Sequence, residues 1–246
     1  MSNQLRGKCA IVTGAGRGIG KAIAEAYGHA GASVGCLART RAEVDETAAA
    51  IERQGHRALA VSVDVRDAVA IDRAFTQVAE TFGGLDIIVI NAGINAARGP
   101  VTETDPRAWA ETVETNLVGA YHCARAAIPH LRRLGAGKII TVGSGLGHRG
   151  VPARSAYACS KAGLWMLTRV LAQEVAPFNI SVNELIPGPV NTALTQRDAA
   201  RGPVVSLGDS EWVKSPADVV PLALFLAGQP DVGPTAQSFS LMRRDG

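Results

Sequence analysis

Short, continuously apolar segments rich in β-branched residues alternate with amphipathic segments from one end of the chain to the other. The strand candidates are residues 8–13, 33–38, 57–63, 86–91, 137–143, 180–186 and 236–242. Helical periodicity fits residues 19–30, 41–54, 67–82, 106–134, 154–177 and 215–227, with Pro129 expected to bend the fourth helix near its end. Strands that are apolar throughout and separated by helices predict an α/β fold: a Rossmann-like, doubly wound parallel sheet of about seven strands, with helices on both faces.

No linker, repeat or low-complexity segment divides the 246 residues, so we predict a single domain over residues 1–246. The formal charge of +3 and the absence of a Lys/Arg run argue against a nucleic-acid partner. Residues 1–8 lack the apolar core of a signal peptide, and no segment approaches the roughly 18 apolar residues of a membrane span. The four cysteines show neither CxxC spacing nor a disulfide pattern, which favours reduced thiols, a cytoplasmic location and no metal site.

The sequence TGAGRGIG at residues 13–20 closes the first predicted strand and opens the first predicted helix. Glycines there permit a tight turn and a close approach of the backbone, so that a pyrophosphate can lie on the helix N-terminus. The candidate cofactor-binding residues in it are Gly14, Gly16, Arg17, Gly18, Ile19 and Gly20, spaced G-x-x-x-G-x-G from Gly14 with an additional glycine at 16. The position between a strand and a helix indicates dinucleotide binding, although a glycine-rich loop alone also fits a simple tight turn.

The end of the second strand distinguishes between the two nicotinamide cofactors. Proteins that bind the unphosphorylated ribose carry Asp or Glu there, whereas this chain reads CLART at residues 36–40, with no acid before Glu43. Arg17 and Arg39 can instead donate charge-assisted hydrogen bonds to a 2′-phosphate, each worth roughly 1.5–3 kcal/mol. We therefore predict NADP(H) rather than NAD(H), the alternative being that Arg39 is a solvated residue at the helix entry.

Two further segments follow strands at the same predicted edge of the sheet. Asp64 and Val65, after the third strand, are placed to contact an adenine, although Asp64 fits a plain helix cap nearly as well, with Asp67 a rival for that role. The sequence NAG after the fourth strand is a turn signal that also lets a cofactor approach closely, and its residues are Asn91, Ala92 and Gly93.

Tyr157 and Lys161 are four residues apart in a predicted helix, so their side chains lie on one face and within reach of each other. A neighbouring ammonium favours the phenolate, so the pKa of Tyr157 is expected to fall from about 10 toward neutral pH. Such a phenol is a candidate proton donor and acceptor for the interconversion of a carbonyl and an alcohol. The alternative interpretation is an ordinary amphipathic helix that carries a tyrosine and a lysine.

Together these residues resemble the short-chain dehydrogenase/reductase family, in its compact NADP(H)-preferring form, over nearly the whole chain. Residues 13–20 are similar to its glycine motif, residues 91–93 to its Asn-Ala-Gly motif, and Pro187-Gly188 to its Pro-Gly turn. The positions of its catalytic tetrad are matched by Asn116, Ser144, Tyr157 and Lys161. Within the family, the chain is similar to 3-oxoacyl-ACP reductases and carbonyl reductases.

The resemblance also implies a role for each matched residue. Ser144 hydrogen-bonds the substrate carbonyl and stabilises the developing charge. Tyr157 transfers the proton while the nicotinamide delivers the hydride, and Lys161 lowers the pKa of Tyr157 and binds the nicotinamide ribose. Asn116 holds a water that links Lys161 to solvent, and Thr192 meets the nicotinamide carboxamide. The remaining cofactor contacts that the resemblance implies are Pro187, Gly188 and Val190.

The expected function is hydride transfer between NADP(H) and a small-molecule carbonyl or secondary alcohol, with Tyr157 as general acid/base. The alternatives are a 3-oxoacyl-thioester (ACP or CoA) reductase and, from another class, a catalytically silent NADP-binding sensor or scaffold. Residues 193–213 are expected to form a substrate lid, while His148 and Arg149 either line the pocket mouth or lie exposed in a loop. The resemblance implies a homotetramer or homodimer assembled through the helices at 106–134 and 154–177.

Overall fold

The computed structural model describes residues 3–199 and 212–243, except for the side chains of residues 197–199, and its strands form one seven-stranded sheet. The strands are β1 (Cys9–Thr13), β2 (Ser33–Ala38), β3 (Ala58–Ser62), β4 (Ile87–Ile90), β5 (Gly137–Val142), β6 (Ile180–Ile186) and β7 (Ser238–Ser240). All neighbouring strands are parallel, in the order β3-β2-β1-β4-β5-β6-β7. The predicted doubly wound sheet is confirmed, and its strand order reverses between β1 and β4. β7 is shorter than the predicted 236–242, because three of its residues pair with β6.

The helices lie close to their predicted positions. They are α1 (Gly18–His29), α2 (Arg41–Glu52), α3 (Ala68–Phe82), α4 (Pro106–Val113), α5 (Gly119–Leu134), α6 (Ser155–Val175), α7 (Ala193–Ala199) and α8 (Val220–Ala227). Residues 106–134 are helical throughout, as predicted, but a π-helical turn at Glu114–Val118 joins α4 to α5. α5 continues through Pro129 and ends before Gly135, whose φ of +76° is a conformation that glycine adopts without strain.

Short helical turns account for the remaining differences from the prediction. Residues 154–177 end in a 3-10 turn at Ala176–Phe178, and residues 215–227 begin with one at Pro216–Val219. The 3-10 turns at Val101–Glu103 and Gly145–Gly147 were not predicted because each is too short to show a clear period. Helix α7 was not predicted as a helix and lies in the segment expected to form the lid. Residues 200–211, the central part of the predicted lid, lie outside the described residues.

Two apolar cores lie on opposite faces of the sheet. On one face α3, α5 and α6 pack against the strands through residues such as Phe75, Cys123 and Leu164. On the other face α1, α2 and α8 do so, with Tyr27 and Ile51 among the fully buried residues. Every residue of β5 and β6 is buried, although the two strands carry polar residues as well as apolar ones, among them Lys138, Asn183 and Glu184. Among residues 3–199 and 212–243, no helix combines the length and the apolar character needed to cross a membrane.

Candidate active site

The loop between β1 and α1 is shaped by contacts that only glycine allows. Gly14 has a φ of +66°, and a Cβ there would lie 2.8 Å from Asn91 Nδ2. A Cβ on Gly20 would overlap the carbonyl oxygen of Gly14. Arg17, the N-cap of α1, makes no side-chain capping bond, so no cap side chain satisfies the first backbone N–H groups of the helix. The loop is therefore a backbone cradle of the kind that binds an anion.

A groove of about 380 Å³ runs from this cradle along the carboxyl ends of β1 to β4. The predicted cofactor residues that line it are Gly14, Gly16, Arg17, Gly18, Ile19, Arg39, Asp64, Val65, Asn91, Ala92, Gly93 and Thr192. Gly20 packs behind the loop and Pro187 is buried, while Gly188 and Val190 line a neighbouring cavity. Thr115, which was not predicted, lines the groove with a buried Oγ1 that has no hydrogen-bond partner among the described residues. An unsatisfied buried hydroxyl beside a backbone cradle fits a polar dinucleotide.

Two arginines lie at the end of the groove formed by β1 and β2, as the sequence predicts. Arg17 Nη1 lies 3.4 Å from Glu43 Oε1, so an acid from the first turn of α2 shares this region with it. Arg39 is exposed and lines the groove at the end of β2. This end of the groove therefore presents two guanidinium groups, one of which already has a carboxylate partner.

Asp64 lines the groove but uses its carboxylate within its own loop. It pairs with Arg66 at 2.7 Å, and this hydrogen bond holds the pKa of Asp64 below its usual value. Asp67 caps α3 by accepting hydrogen bonds from the backbone N–H groups of Val69 and Ala70. Asp67, not Asp64, is therefore the helix cap that the sequence left undecided.

Tyr157 and Lys161 lie together on α6, and the lysine is almost completely buried. Lys161 is 4% exposed, and its Nζ donates a 2.8 Å hydrogen bond to the carbonyl oxygen of Val142 at the end of β5. The same Nζ lies 5.8 Å from the centroid of the Tyr157 ring. Burial lowers the pKa of Lys161 to about 8, although the negative charge of Glu184 acts in the opposite direction. The helix therefore places an ammonium group with a lowered pKa, that of Lys161, beside the phenol of Tyr157.

Asn116 lies in the π-helical turn between α4 and α5, and its side-chain amide makes three hydrogen bonds. Its Oδ1 accepts from the Ile94 N–H at 2.8 Å, and its Nδ2 donates to the Ile94 carbonyl at 2.9 Å and to Ser160 Oγ at 3.0 Å. Ser160 in turn donates to the carbonyl oxygen of Tyr157. The side chain of Asn116 thus ties the segment after β4 to the helix that carries the tyrosine.

A second cavity, also of about 380 Å³, brings Ser144 and Tyr157 together. Its walls come from the loops after β5 and β6, from α7 and from the end of the described chain, and include Leu146, Val151, Gly188, Val190, Leu194, Val213 and Met242. Asn95 and Leu194 line both the groove and the cavity, so the two spaces adjoin. Ser144 Oγ accepts a 3.2 Å hydrogen bond from the Leu146 N–H.

The sequence left open whether His148 and Arg149 line the pocket, and the structure places the two side chains differently. Arg149 lines the cavity, whereas the ring of His148 lies 3.0 Å from Glu184 on β6. Arg154, immediately before α6, also lines the cavity and is only 6% exposed. Neither Glu184 nor Arg154 was singled out from the sequence, because no motif marks them, and His148, which contacts Glu184, is 36 residues away along the chain.

Comparisons with known proteins agree with this arrangement. The sequence model of the short chain dehydrogenases matches residues 8–201. A cis-4-hydroxycyclohexanecarboxylate dehydrogenase of Sinomonas cyclohexanicum is 38% identical over 187 residues, which are 76% of this chain and 75% of that protein. The structure of a short-chain type dehydrogenase/reductase from Mycobacterium marinum is 32% identical with a TM-score of 0.88, covering 97% of this chain and 95% of that one. Carveol dehydrogenase from Mycobacterium avium, solved in complex with NAD, is 27% identical with a TM-score of 0.88 and covers 97% of both chains.

The chain belongs to the short-chain dehydrogenase family. It is therefore an oxidoreductase of the class that uses a nicotinamide cofactor and acts on alcohol or carbonyl groups, which confirms the family predicted from the sequence.

Proposed function

We propose that the chain transfers a hydride between NADP(H) and a carbonyl or secondary alcohol, with Tyr157 as general acid/base. The observation that carries this proposal is the placement of Tyr157 and Ser144 in a cavity that adjoins the nucleotide groove. A nicotinamide bound in the groove would supply or accept the hydride. The groove fits such a group because it combines the glycine cradle with the unpartnered, buried hydroxyl of Thr115.

The proposed roles follow from the hydrogen bonds of each side chain. The Ser144 oxygen accepts a bond from a backbone N–H, so its own hydroxyl proton is able to bind a substrate carbonyl oxygen. Tyr157 gives its phenolic proton to that oxygen during reduction and takes it back during oxidation. Lys161 uses one N–H on Val142, which leaves two others for a ribose and for the electrostatic support of the phenolate.

Asn116 is proposed to support proton exchange between Lys161 and solvent through a water. Its side-chain amide is already bonded to Ile94 and Ser160. The contact with water therefore falls to the backbone of the π-helical turn, where the usual helical pairing of carbonyl groups is interrupted.

NADP(H) is the cofactor that we propose, in spite of a relative that is solved with NAD. Arg17 and Arg39 both line the groove, and β2 ends without an acid, which supports binding of a 2′-phosphate there. Glu43 opposes this preference because its carboxylate is the present partner of Arg17. Since Arg39 makes no such ion pair among the described residues, it is the residue on which the preference depends.

The charge of the cavity favours a substrate that carries a carboxylate. Arg149, which is exposed, lines it, and none of its described lining residues is Asp or Glu. Guanidinium groups bind carboxylates with directed, charge-assisted hydrogen bonds. The other walls are largely apolar and suit a hydrocarbon body. The relative from Sinomonas cyclohexanicum, named for a hydroxy acid of this kind, supports the same class; a 3-oxoacyl thioester is the alternative substrate.

We further propose a homotetramer or homodimer built on α5 and α6. Tyr121 on α5 and Met166 with Val170 on α6 are large apolar side chains that remain at least 42% exposed. Large apolar side chains exposed on these two helices are consistent with an association surface there. The cytoplasmic location stays a prediction from the sequence.

The test of this function is NADPH consumption with a panel of ketones, 3-oxo acids, the amides of those acids, 3-oxoacyl thioesters and quinones. Tyr157→Phe should lower kcat by roughly 10²- to 10⁴-fold, because the phenolic proton is lost while the ring remains. Tyr121→Phe is the matched control, since Tyr121 is exposed on α5 and outside the cleft.

NADPH fluorescence should show that both variants still bind the cofactor. A 3-oxo acid should be preferred over its amide if Arg149 binds a carboxylate. Full activity of Tyr157→Phe on any member of the panel would remove Tyr157 as the acid. Tight binding of NADPH without turnover of any member would instead favour the silent sensor or scaffold.

A further inference from the structure

A glutamate with no exposed surface lies beneath the candidate active site. Glu184 is in β6, and its side chain is on the face of the sheet that packs against α6. Its Oε2 accepts a hydrogen bond from Ser238 on β7 and lies 3.0 Å from His148 Nε2. Its Oε1 is buried without a hydrogen-bond partner among the described residues. A carboxylate this deeply buried is costly unless a nearby positive charge compensates it.

The loop after β5 is built around this carboxylate. A Cβ on Gly143 would overlap Glu184 Oε1, so the glycine next to Ser144 leaves the space that the carboxylate fills. Farther along the loop, a Cβ on Gly147 would lie 2.8 Å from the backbone carbonyl carbon of Lys161. The segment that carries Ser144 is therefore packed between Glu184 on one side and α6 on the other.

Lys161 is a buried cation at the same end of β5: its Nζ donates to the carbonyl oxygen of Val142, the residue before Gly143, at which a Cβ would overlap Glu184 Oε1. Among the described residues, the charged or titratable groups that face the site are His148, Arg149 and Arg154 from the segment between β5 and α6, Tyr157 and Lys161 from α6, and Glu184 itself, while β7 contributes the hydroxyl of Ser238. Arg169 is one layer farther away: it stacks on Trp165, whose ring meets His148 edge-on at 5.1 Å. The side chain of His148 is 26% exposed, whereas Glu184 and Lys161 are both buried.

We propose that Glu184 is a positioning residue that keeps Lys161 an ammonium, so that Tyr157 is the member of the pair that gives up the proton. This inference rests on the proposed function of Tyr157 and Lys161. Once the pair has lost one proton, either the phenol or the lysine has lost it. Only the phenolate form accepts a proton from an alcohol, and a negative charge close to Lys161 favours that form over neutral lysine.

The experiment is the pH profile of kcat for oxidation of the alcohol that corresponds to the best ketone of the panel, between about pH 6 and 10. In Glu184→Gln the lost negative charge makes loss of the first proton easier, so the acid limb of the profile should move down by about one pH unit. The plateau of kcat should fall several-fold, because more of the singly deprotonated pair carries neutral lysine. Glu174→Gln, the same substitution at an exposed position of α6, should reproduce the wild-type profile.

If Glu184→Gln folds poorly, a double-mutant cycle measured by thermal unfolding still tests the inference. Glu184→Gln, Lys161→Met and the double variant should be non-additive, with the double variant losing less than the sum of the two single losses. Additive losses would overturn the inference. So would a Glu184→Gln profile that superposes on the wild type while Tyr157→Phe is inactive. An active Tyr157→Phe would instead show that the proposed function itself is wrong.

Discussion

The nucleotide groove and the adjoining cavity have about the same volume, near 380 Å³, but their walls differ in kind. Backbone and glycine positions that lie close together after successive parallel strands dominate the groove near Gly14. Side chains from the loops after β5 and β6, together with Met242 near the end of the described chain, dominate the cavity. A wall of backbone cannot move aside for a substituent, whereas a wall of flexible side chains can repack.

Two glycines make this difference measurable. A Cβ at Gly20 and a Cβ at Gly145 would each overlap an existing atom to a similar extent. The atom near Gly20 is the carbonyl oxygen of Gly14, and the atom near Gly145 is the Sδ of Met242. The same addition of one methyl group should therefore have unequal consequences on the two sides of the cleft.

The largest effect is expected for Gly20→Ala. The methyl group must displace the glycine loop, so the variant should lose roughly 1–3 kcal/mol of unfolding free energy. Its NADPH affinity should fall at least about tenfold, the equivalent of about 1.4 kcal/mol. Thermal unfolding and fluorescence titration measure both, with Gly150→Ala as control because a Cβ there would meet nothing within 4 Å. An affinity equal to that of the control would show that the loop tolerates displacement.

An intermediate effect is expected at Arg39, where the selectivity of the groove depends on a side chain. Arg39→Asp should lower the ratio of kcat/KM with NADPH to that with NADH by roughly 10- to 150-fold, because a charge-assisted contact is lost. Arg41→Asp is the matched control, since Arg41 pairs with Asp45 on α2 and does not line the groove. An unchanged ratio for Arg39→Asp would remove the NADP(H) preference from the proposal.

The smallest effect is expected for Gly145→Ala. The thioether of Met242 has several rotamers and can move away, so the cost in unfolding free energy should stay below about 1 kcal/mol. The KM of the carbonyl substrate should change while the affinity for NADPH does not. A loss of NADPH affinity as large as that of Gly20→Ala would abolish the distinction between the two walls.

The groove was largely predictable because its determinants are local. Glycines directly after a strand and before a helix predict the cradle, and most of the predicted cofactor residues do line the groove. Thr115 was missed because its hydroxyl lines the groove only through the π-helical turn, which has no distinct sequence period. Pro187 was assigned to the cofactor site by resemblance alone. It is buried and does not line the groove.

The sequence by itself determined the order of strands and helices, the cradle after β1 and the pairing of Tyr157 with Lys161, since each depends on residues within about one helical turn or one loop. The tertiary structure alone decided which charges are buried and what they meet. Glu184 contacts His148, which is 36 residues away in the sequence, and Asn116 contacts Ser160, which is 44 residues away. Burial and such long-range contacts arise from the packing of helices on the sheet, and one-dimensional periodicity carries no record of them.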